Sequence, residues 1–197
     1  MWPQDSTAAI QQLVEARYHH HQAHDLDNAP AVTNRICAQL HTWGAWTWEE
    51  DLYTEDLTWI PPQSANAAAG THQLGLIAQL RGDYAQAEQR YHAALTLNEE
   101  LGNRAGIATS YGQLGVLRTA QGRPTEGIPY TVSAFAIHFE LESPDVSLDL
   151  SWLAKQRQEV GEEHFAEILS NLLDSDSARV VIDAVNAMER GQGATGS

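Results

Sequence analysis

The chain has 197 residues, of which 43% are hydrophobic and 19% charged, a balance that is typical of a folded globular protein and excludes an intrinsically disordered one. Its 26 acidic and 11 basic residues give a formal net charge of −15, which argues against nucleic acid or a membrane surface as partner, since both need cationic side chains. The same charge favours a basic protein or peptide, because long-range attraction would steer it to the surface.

The first predicted element is an N-terminal helix. Ile10, Leu13, Val14 and Tyr18 recur at helical spacing, so residues 1–27 are expected to form a helix that covers one end of the fold. The opening stretch MWPQDSTAAI lacks the charged leader and apolar run of a secretion signal. We therefore expect an N-terminal capping helix in a cytoplasmic protein.

Four histidines crowd the stretch YHHHQAHD of this helix. On a helix His20 and His24 are one turn apart, so this pair could bind Zn²⁺ or Ni²⁺ with Asp25 or Asp27 as a third ligand. A metal site also needs hydrogen bonds that orient each imidazole, and the sequence does not specify them. The preferred interpretation is that Tyr18 and one histidine pack while the others face water. No metal or cofactor is predicted.

Cys37 is the only cysteine, so the chain cannot form an internal disulfide, which favours a reducing compartment. It lies between two apolar residues on a predicted helix, where a buried and unreactive thiol is expected. No segment of the sequence reaches the ~18 apolar residues that a membrane span needs. The sequence therefore predicts neither a transmembrane segment nor a catalytic cysteine.

The segment from Trp43 to Trp59 combines aromatic and acidic side chains. Its acidic run EEDLYTED, residues 49–56, is interpreted as a solvated helix face, with a docking patch for a basic partner as the alternative. Trp46 is expected to pack inside. Trp48 or Trp59 could be exposed, and exposed aromatic side chains would form a contact surface for a partner.

The middle of the chain contains an internal repeat, because residues 72–97 align with residues 112–137 at an offset of 40. Each copy has a helical run, an interrupting glycine and a second helical run. This predicts a helical hairpin in which one glycine allows close helix approach and another supplies the positive φ that ends the first helix. The matched pairs are Leu74 and Leu114, Gly75 and Gly115, Gly82 and Gly122, and Ala94 and Ala134.

The repeat resembles the tetratricopeptide repeat family, and in particular actinobacterial-type arrays with a period of roughly 40 residues. In the second copy Gly127 and Thr131 replace the family's small residue and aromatic residue. The first copy matches the family pattern at Leu74, Gly75, Ala78, Ala87, Tyr91 and Ala94.

Weaker copies extend the pattern in both directions. Residues 43–59 align with residues 81–97 at an offset of 38, and residues 153–169 align with residues 114–130 at an offset of 39. The array therefore has about four hairpins, which satisfies the need for at least ~3 stacked repeats to close a continuous core.

The resemblance implies an all-α fold, a right-handed superhelical stack of antiparallel helical hairpins with capping helices. About four hairpins are expected in residues 28–173, of which two are clear at residues 68–141. Residues 174–190 are predicted to form a C-terminal capping helix, since Val180, Val181 and Val185 follow a helical spacing. Residues 191–197, being short and glycine-rich, are predicted to be disordered.

The resemblance also implies a binding groove, because in this family the first helix of each hairpin lines the concave face. Chaperone-binding members grip a peptide carboxylate there with Lys, Arg and Asn, which this chain lacks at those positions. The side chains present would instead hydrogen-bond an extended peptide or admit a helix. The predicted contact residues are His72, Gln73, Leu76, Gln79, Gln113, Val116 and Thr119.

The preferred function is a protein- or peptide-binding scaffold without catalysis. A second hypothesis is a sensor module of an ATPase-linked signalling system, as similar actinobacterial arrays are; the chain has no GxxxxGKS loop, so the ATPase would lie on another chain. A third is a metal-dependent enzyme that uses His20 and His24, since helical repeats host some enzymes. The open ends of such a stack would also allow a homodimer.

Overall fold

The structure, a computed structural model, describes the backbone of residues 4–194 and the side chains of residues 9–190. All regular structure within that part of the chain is helical, which confirms the predicted all-α class. The chain divides into two compact units, Met1–Gly102 and Asn103–Ser197. Within residues 4–194, no helix combines the length and the apolar character that crossing a bilayer requires.

The first unit contains five helices, each of which packs against the next one along the chain. Its core is built from apolar side chains of α1 to α4, among them Ile36, Leu40 and Leu52. The predicted burial of Cys37 is confirmed, and burial raises the pKa of its thiol to about 12, so the thiolate is not accessible at neutral pH. The helices are α1 (Gln4–Gln22), α2 (Asn28–Thr42), α3 (Trp46–Trp59), α4 (Ala65–Leu80) and α5 (Tyr84–Glu100).

The second unit contains the remaining five helices of the described chain. α6 packs on α7, α7 packs on α8, and α8 contacts both α9 and α10. Its core includes Ile128, Leu153, Phe165 and Val185, so every helix from α7 to α10 contributes to it. The helices are α6 (Arg104–Ala120), α7 (Pro124–Glu140), α8 (Val146–Val160), α9 (Glu162–Leu172) and α10 (Ser175–Ala194).

Two glycines end the first helices of the two clear hairpins. Gly82 has φ 79° and Gly122 has φ 73°, a left-handed conformation that residues with a Cβ rarely adopt. The N–H of Gly82 donates to the carbonyl of Gln79 at 3.0 Å, which satisfies one of the free carbonyls at the end of α4. The hairpin turns therefore form where the sequence pattern predicts them.

A second pair of glycines permits close helix packing, as predicted. A Cβ added to Gly75 on α4 would lie 2.6 Å from Cε1 of Tyr91 on α5. One added to Gly115 on α6 would lie 2.2 Å from Oγ1 of Thr131 on α7. Both distances are shorter than side-chain atoms can approach, so the helices touch only because these positions lack a side chain.

Helices also occupy both ends of the described chain. α1 lies within the predicted N-terminal cap, residues 1–27. α10 contains almost all of the predicted C-terminal cap, residues 174–190, and extends beyond it. The predicted disordered tail, residues 191–197, overlaps the end of α10, whose backbone is helical through Ala194. Residues 195–197 lie outside the described residues.

The acidic run of α3 is only partly the solvated face that the sequence predicts, since Asp51 and Glu55 are exposed but two other carboxylates are not. Glu49 and Asp56 are both buried. Nη2 of Arg17 donates to Oδ1 of Asp56 at 2.6 Å, and Nδ1 of His41 lies 3.4 Å from Oε2 of Glu49. The prediction is wrong for these two carboxylates because basic side chains of α1 and α2 pair with them inside the unit.

Candidate functional site

The predicted contact residues of α4, namely His72, Gln73, Leu76 and Gln79, are all half-buried. The ring of His72 lies 5.4 Å from that of Tyr91 on α5, measured between centroids. The hydroxyl of Tyr91 donates to Oε1 of Gln79 at 2.8 Å. Burial lowers the pKa of His72 to about 4, so its imidazole is neutral at physiological pH. His72 and Gln79 thus help to pack α4 on α5.

The predicted contact residues of α6 divide into two groups. Gln113 and Val116 are half-buried and line a cleft within the second unit. Thr119, by contrast, is only 5% exposed. Its hydroxyl donates to the carbonyl of Gly115 at 2.9 Å and accepts from Nε2 of Gln156 at 3.0 Å. The prediction of Thr119 as a groove contact is therefore wrong, because α8 covers it.

The cleft of the second unit lies among α6, α7 and α8 and encloses about 490 Å³, including its open mouth. It combines amide, hydroxyl, carboxylate, imidazole and apolar groups, a mixture that suits ligand recognition. Its lining residues are Thr109, Gly112, Gln113 and Val116 from α6, Thr131 and His138 from α7, and Asp145, Leu148, Asp149 and Trp152 from α8 and its N-cap.

The repeat itself explains why this cleft exists. At the offset of 40, Gly112 corresponds to His72 and Thr131 corresponds to Tyr91. In the α4/α5 hairpin these two positions carry rings that pack together. In the α6/α7 hairpin both rings are missing, and Gly112 and Thr131 line the cleft instead. A Cβ added to Gly112 would make only ordinary contacts, the nearest at 3.6 Å from Oδ1 of Asp149.

A buried histidine and a buried aspartate form one wall of the cleft. Nδ1 of His138 lies 2.7 Å from Oδ2 of Asp149, and both side chains are buried. Nε2 of His138 lies 3.9 Å from Oδ2 of Asp145, whose side chain is 58% exposed. Burial raises the pKa of the Asp149 carboxyl, and the hydrogen bond with His138 opposes that shift. His138 thus lies between two carboxylates.

A side chain of α8, Gln156, contacts the position at which the α6/α7 hairpin lacks an aromatic ring. The Gln156 side chain is completely buried. Its Nε2 lies 3.0 Å from the hydroxyl oxygens of both Thr119 and Thr131. Gln156 therefore links α8 to α6 and α7 beside Gly115. In the α4/α5 hairpin the matching glycine, Gly75, lies against the ring of Tyr91.

Sequence reasoning missed the six lining residues that α7, α8 and the turn between them contribute: Thr131, His138, Asp145, Leu148, Asp149 and Trp152. A signal was present, because Asp145, Asp149 and Trp152 are spaced by four and three residues and so share one helix face. The replacement of the family's aromatic residue by Thr131 was a second signal. This departure from the family pattern opens the cleft, because no ring fills the space beside Gly112.

The two candidate contact tryptophans differ in their surroundings. Trp48 is 46% exposed. Trp59 is half-buried, since the ring of His21 stacks on it with a centroid distance of 3.7 Å and the guanidinium of Arg17 lies 4.2 Å from its ring centroid. Only Trp48 of this pair therefore presents a largely open ring.

The histidine stretch does not have the geometry that a metal site on one helix face would need. α1 ends at Gln22 and His24 has φ 57°, so His20 and His24 do not share a helix face. Nδ1 of His20 lies 2.9 Å from Oδ2 of Asp25. Among the described side chains, no group of three or more His, Cys, Asp or Glu is arranged to hold a metal ion. Tyr18 is 57% exposed, which corrects the expectation that it packs.

Comparison with known proteins supports the fold. No curated protein sequence matches the chain. The structure is similar to BtubC (BKLC) from P. vanneervenii, with a TM-score of 0.59 and 17% identity over 94% of this chain and 82% of that one. It is also similar to a putative kinesin light chain with nearly identical TPR-like repeats from Podosopora anserina, with a TM-score of 0.53 and 13% identity over 93% and 96% of the two chains.

The family profile covers the first clear hairpin and part of the second. Residues 66–130 match the profile of the tetratricopeptide repeat. This segment contains nearly all of α4, all of α5 and α6 and the start of α7, with the paired glycines that the sequence pattern predicts. Residues 66–130 are therefore similar to tetratricopeptide repeats, and the described part of the chain has an all-α helical-repeat fold.

Proposed function

We propose that this protein is a peptide-binding module and that the cleft of the second unit is its contact site. Tetratricopeptide repeats generally serve as scaffolds for protein–protein interaction. The observation that carries the proposal is the cleft itself, which Gln113 and Val116 line and which opens where the repeat lacks two rings. Both residues were predicted contacts on family grounds, so two independent arguments lead to the same helix face.

The cleft offers the groups that an extended peptide needs. The amide of Gln113 and the hydroxyl of Thr109 can hydrogen-bond a peptide backbone. Val116, Trp152 and Leu148, which is 53% exposed, supply apolar contact for side chains. The module thus binds by shape and hydrogen bonding, and it needs no catalytic group.

The charge of the cleft favours a basic partner. Asp145 and Asp149 both line it, and the whole chain has a formal net charge of −15. Such a field accelerates the association of a positively charged peptide and discourages an acidic one. Binding should therefore weaken as salt is added, because salt screens interactions between exposed charges.

A peptide selection with a blocked cleft tests the proposal. Random dodecapeptides displayed on phage are selected on the wild-type protein, and the affinity of each enriched peptide is measured by fluorescence anisotropy. Gly112→Leu adds a side chain inside the cleft, whereas Asn171→Leu adds the same side chain on an exposed position of α9. We expect Gly112→Leu to weaken binding at least ~10-fold, a change of about 1.4 kcal/mol, and Asn171→Leu to leave it unchanged.

Far-UV circular dichroism and thermal unfolding of both variants establish that the fold is retained. Val116→Trp provides a second way to fill the cleft if Gly112→Leu disturbs α6. The proposal is wrong if folded variants of both kinds bind the enriched peptides as well as the wild type does, or if no peptide is enriched.

A further inference from the structure

The charged side chains that line the cleft have a negative formal charge in sum, whether the histidine among them is neutral or protonated. Asp145 and Asp149 are the acidic side chains of the lining, and His138 is its basic one. Two carboxylates and a neutral imidazole have a formal charge of −2, and two carboxylates and an imidazolium have −1. The partly exposed carboxylate of Asp145 lies at the end of this arrangement that solvent reaches. A cationic group of a ligand would therefore meet a negatively charged lining, with Asp145 as the accessible carboxylate.

An aromatic ring of the same cleft already interacts with a cation. Nζ of Lys155 lies 4.8 Å from the ring centroid of Trp152, within the range of a cation–π interaction. Trp152 lines the cleft and is half-buried, so its indole is held in place. An indole beside carboxylates is a combination that attracts a flat cation, because the cation stacks on the ring while its N–H groups reach the oxygens.

The shape of the cleft favours the side chain of arginine over that of lysine. The space opens where the preceding repeat has the rings of His72 and Tyr91, which are flat groups. A guanidinium is planar and can donate two parallel hydrogen bonds to one carboxylate, whereas an ammonium is a compact, strongly hydrated point charge. The hydroxyl of Thr109 and the amide oxygen of Gln113 offer further acceptors for its five N–H donors.

We infer that the cleft of the second unit holds an arginine side chain of the bound peptide, with the guanidinium against Trp152 and paired with Asp145. The inference rests on the proposed function and specifies its substrate class. Asp145 is the carboxylate that contacts the guanidinium. Asp149 is already hydrogen-bonded to His138, so it contributes mainly charge and the position of that ring.

Short peptides that differ in one side chain test this inference. The tripeptide Ac-Gly-Arg-Gly-NH2 is titrated into the protein while amide and indole N–H resonances are followed by NMR. Its counterpart with citrulline has almost the same shape and no charge, and its counterpart with lysine has the charge without the planar fork. We expect saturable shifts at Gln113 and at the Trp152 indole, with affinity at least ~10-fold lower for citrulline and intermediate for lysine.

A pair of isosteric variants locates the charge contact. Asp145→Asn keeps the shape of the cleft and removes its exposed charge, whereas Asp183→Asn makes the same change on an exposed position of α10 in the same unit. We expect Asp145→Asn to weaken arginine binding at least ~5-fold and to lessen the preference over citrulline, and Asp183→Asn to do neither. Equal binding of arginine and citrulline peptides, or shifts confined to other surfaces, would overturn the inference.

The result separates this inference from the proposed function. If peptides enriched in the phage selection bind in a way that Gly112→Leu blocks, but exchange of their arginine for citrulline has no effect, the cleft is a peptide site and the arginine assignment is wrong. If Gly112→Leu and Val116→Trp do not affect binding, the cleft is not the site and both proposals are wrong.

Discussion

Gly112 and Gly115 lie on the same helix, α6, yet their surroundings differ. A Cβ on Gly115 would collide with Thr131 and would also lie 3.1 Å from the carbonyl oxygen of Gly127, a backbone atom that cannot move aside easily. A Cβ on Gly112 would meet its neighbours at ordinary van der Waals distances. The two glycines therefore have different physical roles, one in helix packing and the other in opening the cleft.

Alanine at these two positions should change stability in opposite directions. Gly115→Ala should lower the free energy of unfolding by about 1–3 kcal/mol, because the extra methyl group overpacks the α6/α7 contact. Gly112→Ala should raise it by about 0.5–1 kcal/mol, because alanine is the better helix former and the space is open. Urea unfolding followed by circular dichroism measures both changes, and a shift of the same sign at both positions would contradict the structure.

His72 makes the stability of the first unit depend on pH. Its pKa is lowered to about 4 by burial, against 6.5 for the unperturbed group, so between these values the unfolded state binds a proton and the native state does not. Stability is therefore lost as the pH falls from 6.5 towards 4.

This loss can be measured with a matched pair of variants. His72→Gln removes the half-buried imidazole, and His92→Gln removes an exposed one on α5. Between pH 7 and pH 5 the wild type and His92→Gln should each lose about 1–2 kcal/mol more unfolding free energy than His72→Gln does. Carboxyl groups whose pKa is raised, such as that of Asp56, are common to all three proteins and cancel in the comparison. If the unfolding free energies of the wild type and His72→Gln fell in parallel with pH, the lowered pKa of His72 would be excluded.

At the scale of helices, α1 carries a buried charged side chain, Arg17, in addition to the apolar residues that it packs into the core. Arg17 donates to Asp56 of α3 at 2.6 Å and to Thr33 of α2 at 2.7 Å, and its guanidinium lies over Trp59. A buried charge of this kind stabilises the fold only while it is paired, since removing one partner leaves the other charged group buried without compensation. Arg17 therefore contributes to the docking of α1, together with apolar residues such as Ile10.

Arg17→Leu should lower the free energy of unfolding by about 3–5 kcal/mol, because the carboxylate of Asp56 stays buried without its partner. Arg35→Leu, which removes an exposed arginine from α2, should change it by less than about 0.5 kcal/mol. The double variant Arg17→Leu/Asp56→Leu should recover part of the loss. Urea unfolding is the suitable measurement, and equal effects of the two single variants would show that the ion pair is not needed.

For the helices, the sequence predicted best the turns and contacts that depend on a local residue pattern. The turns at Gly82 and Gly122 and the close contact at Gly75 follow from the repeat, since a glycine at a fixed place in a helical period has few explanations. The burial of Asp56 could not be predicted in this way. Its partner Arg17 lies 39 residues earlier in the chain, and no periodic pattern connects the two.

For the whole molecule, the family match and the structural similarities indicate the kind of fold, while the proposed binding site arises from departures from the family pattern. Gln113 and Val116 were predicted from the repeat and line the cleft. The cleft also needs His138, Asp149 and Trp152, which come from neighbouring helices. Sequence alone could not place these side chains together, because their proximity depends on how α8 packs on α6 and α7.

Intermolecular nuclear Overhauser effects between a selected peptide and the methyl groups of the protein can show whether peptides bind in the cleft of the second unit. We predict contacts to the methyl groups of Val116 and Leu148, which line the cleft, and none to Val180, which is exposed on α10. Contacts to Val180, or to the region of Trp48, without contacts to Val116 would contradict the account.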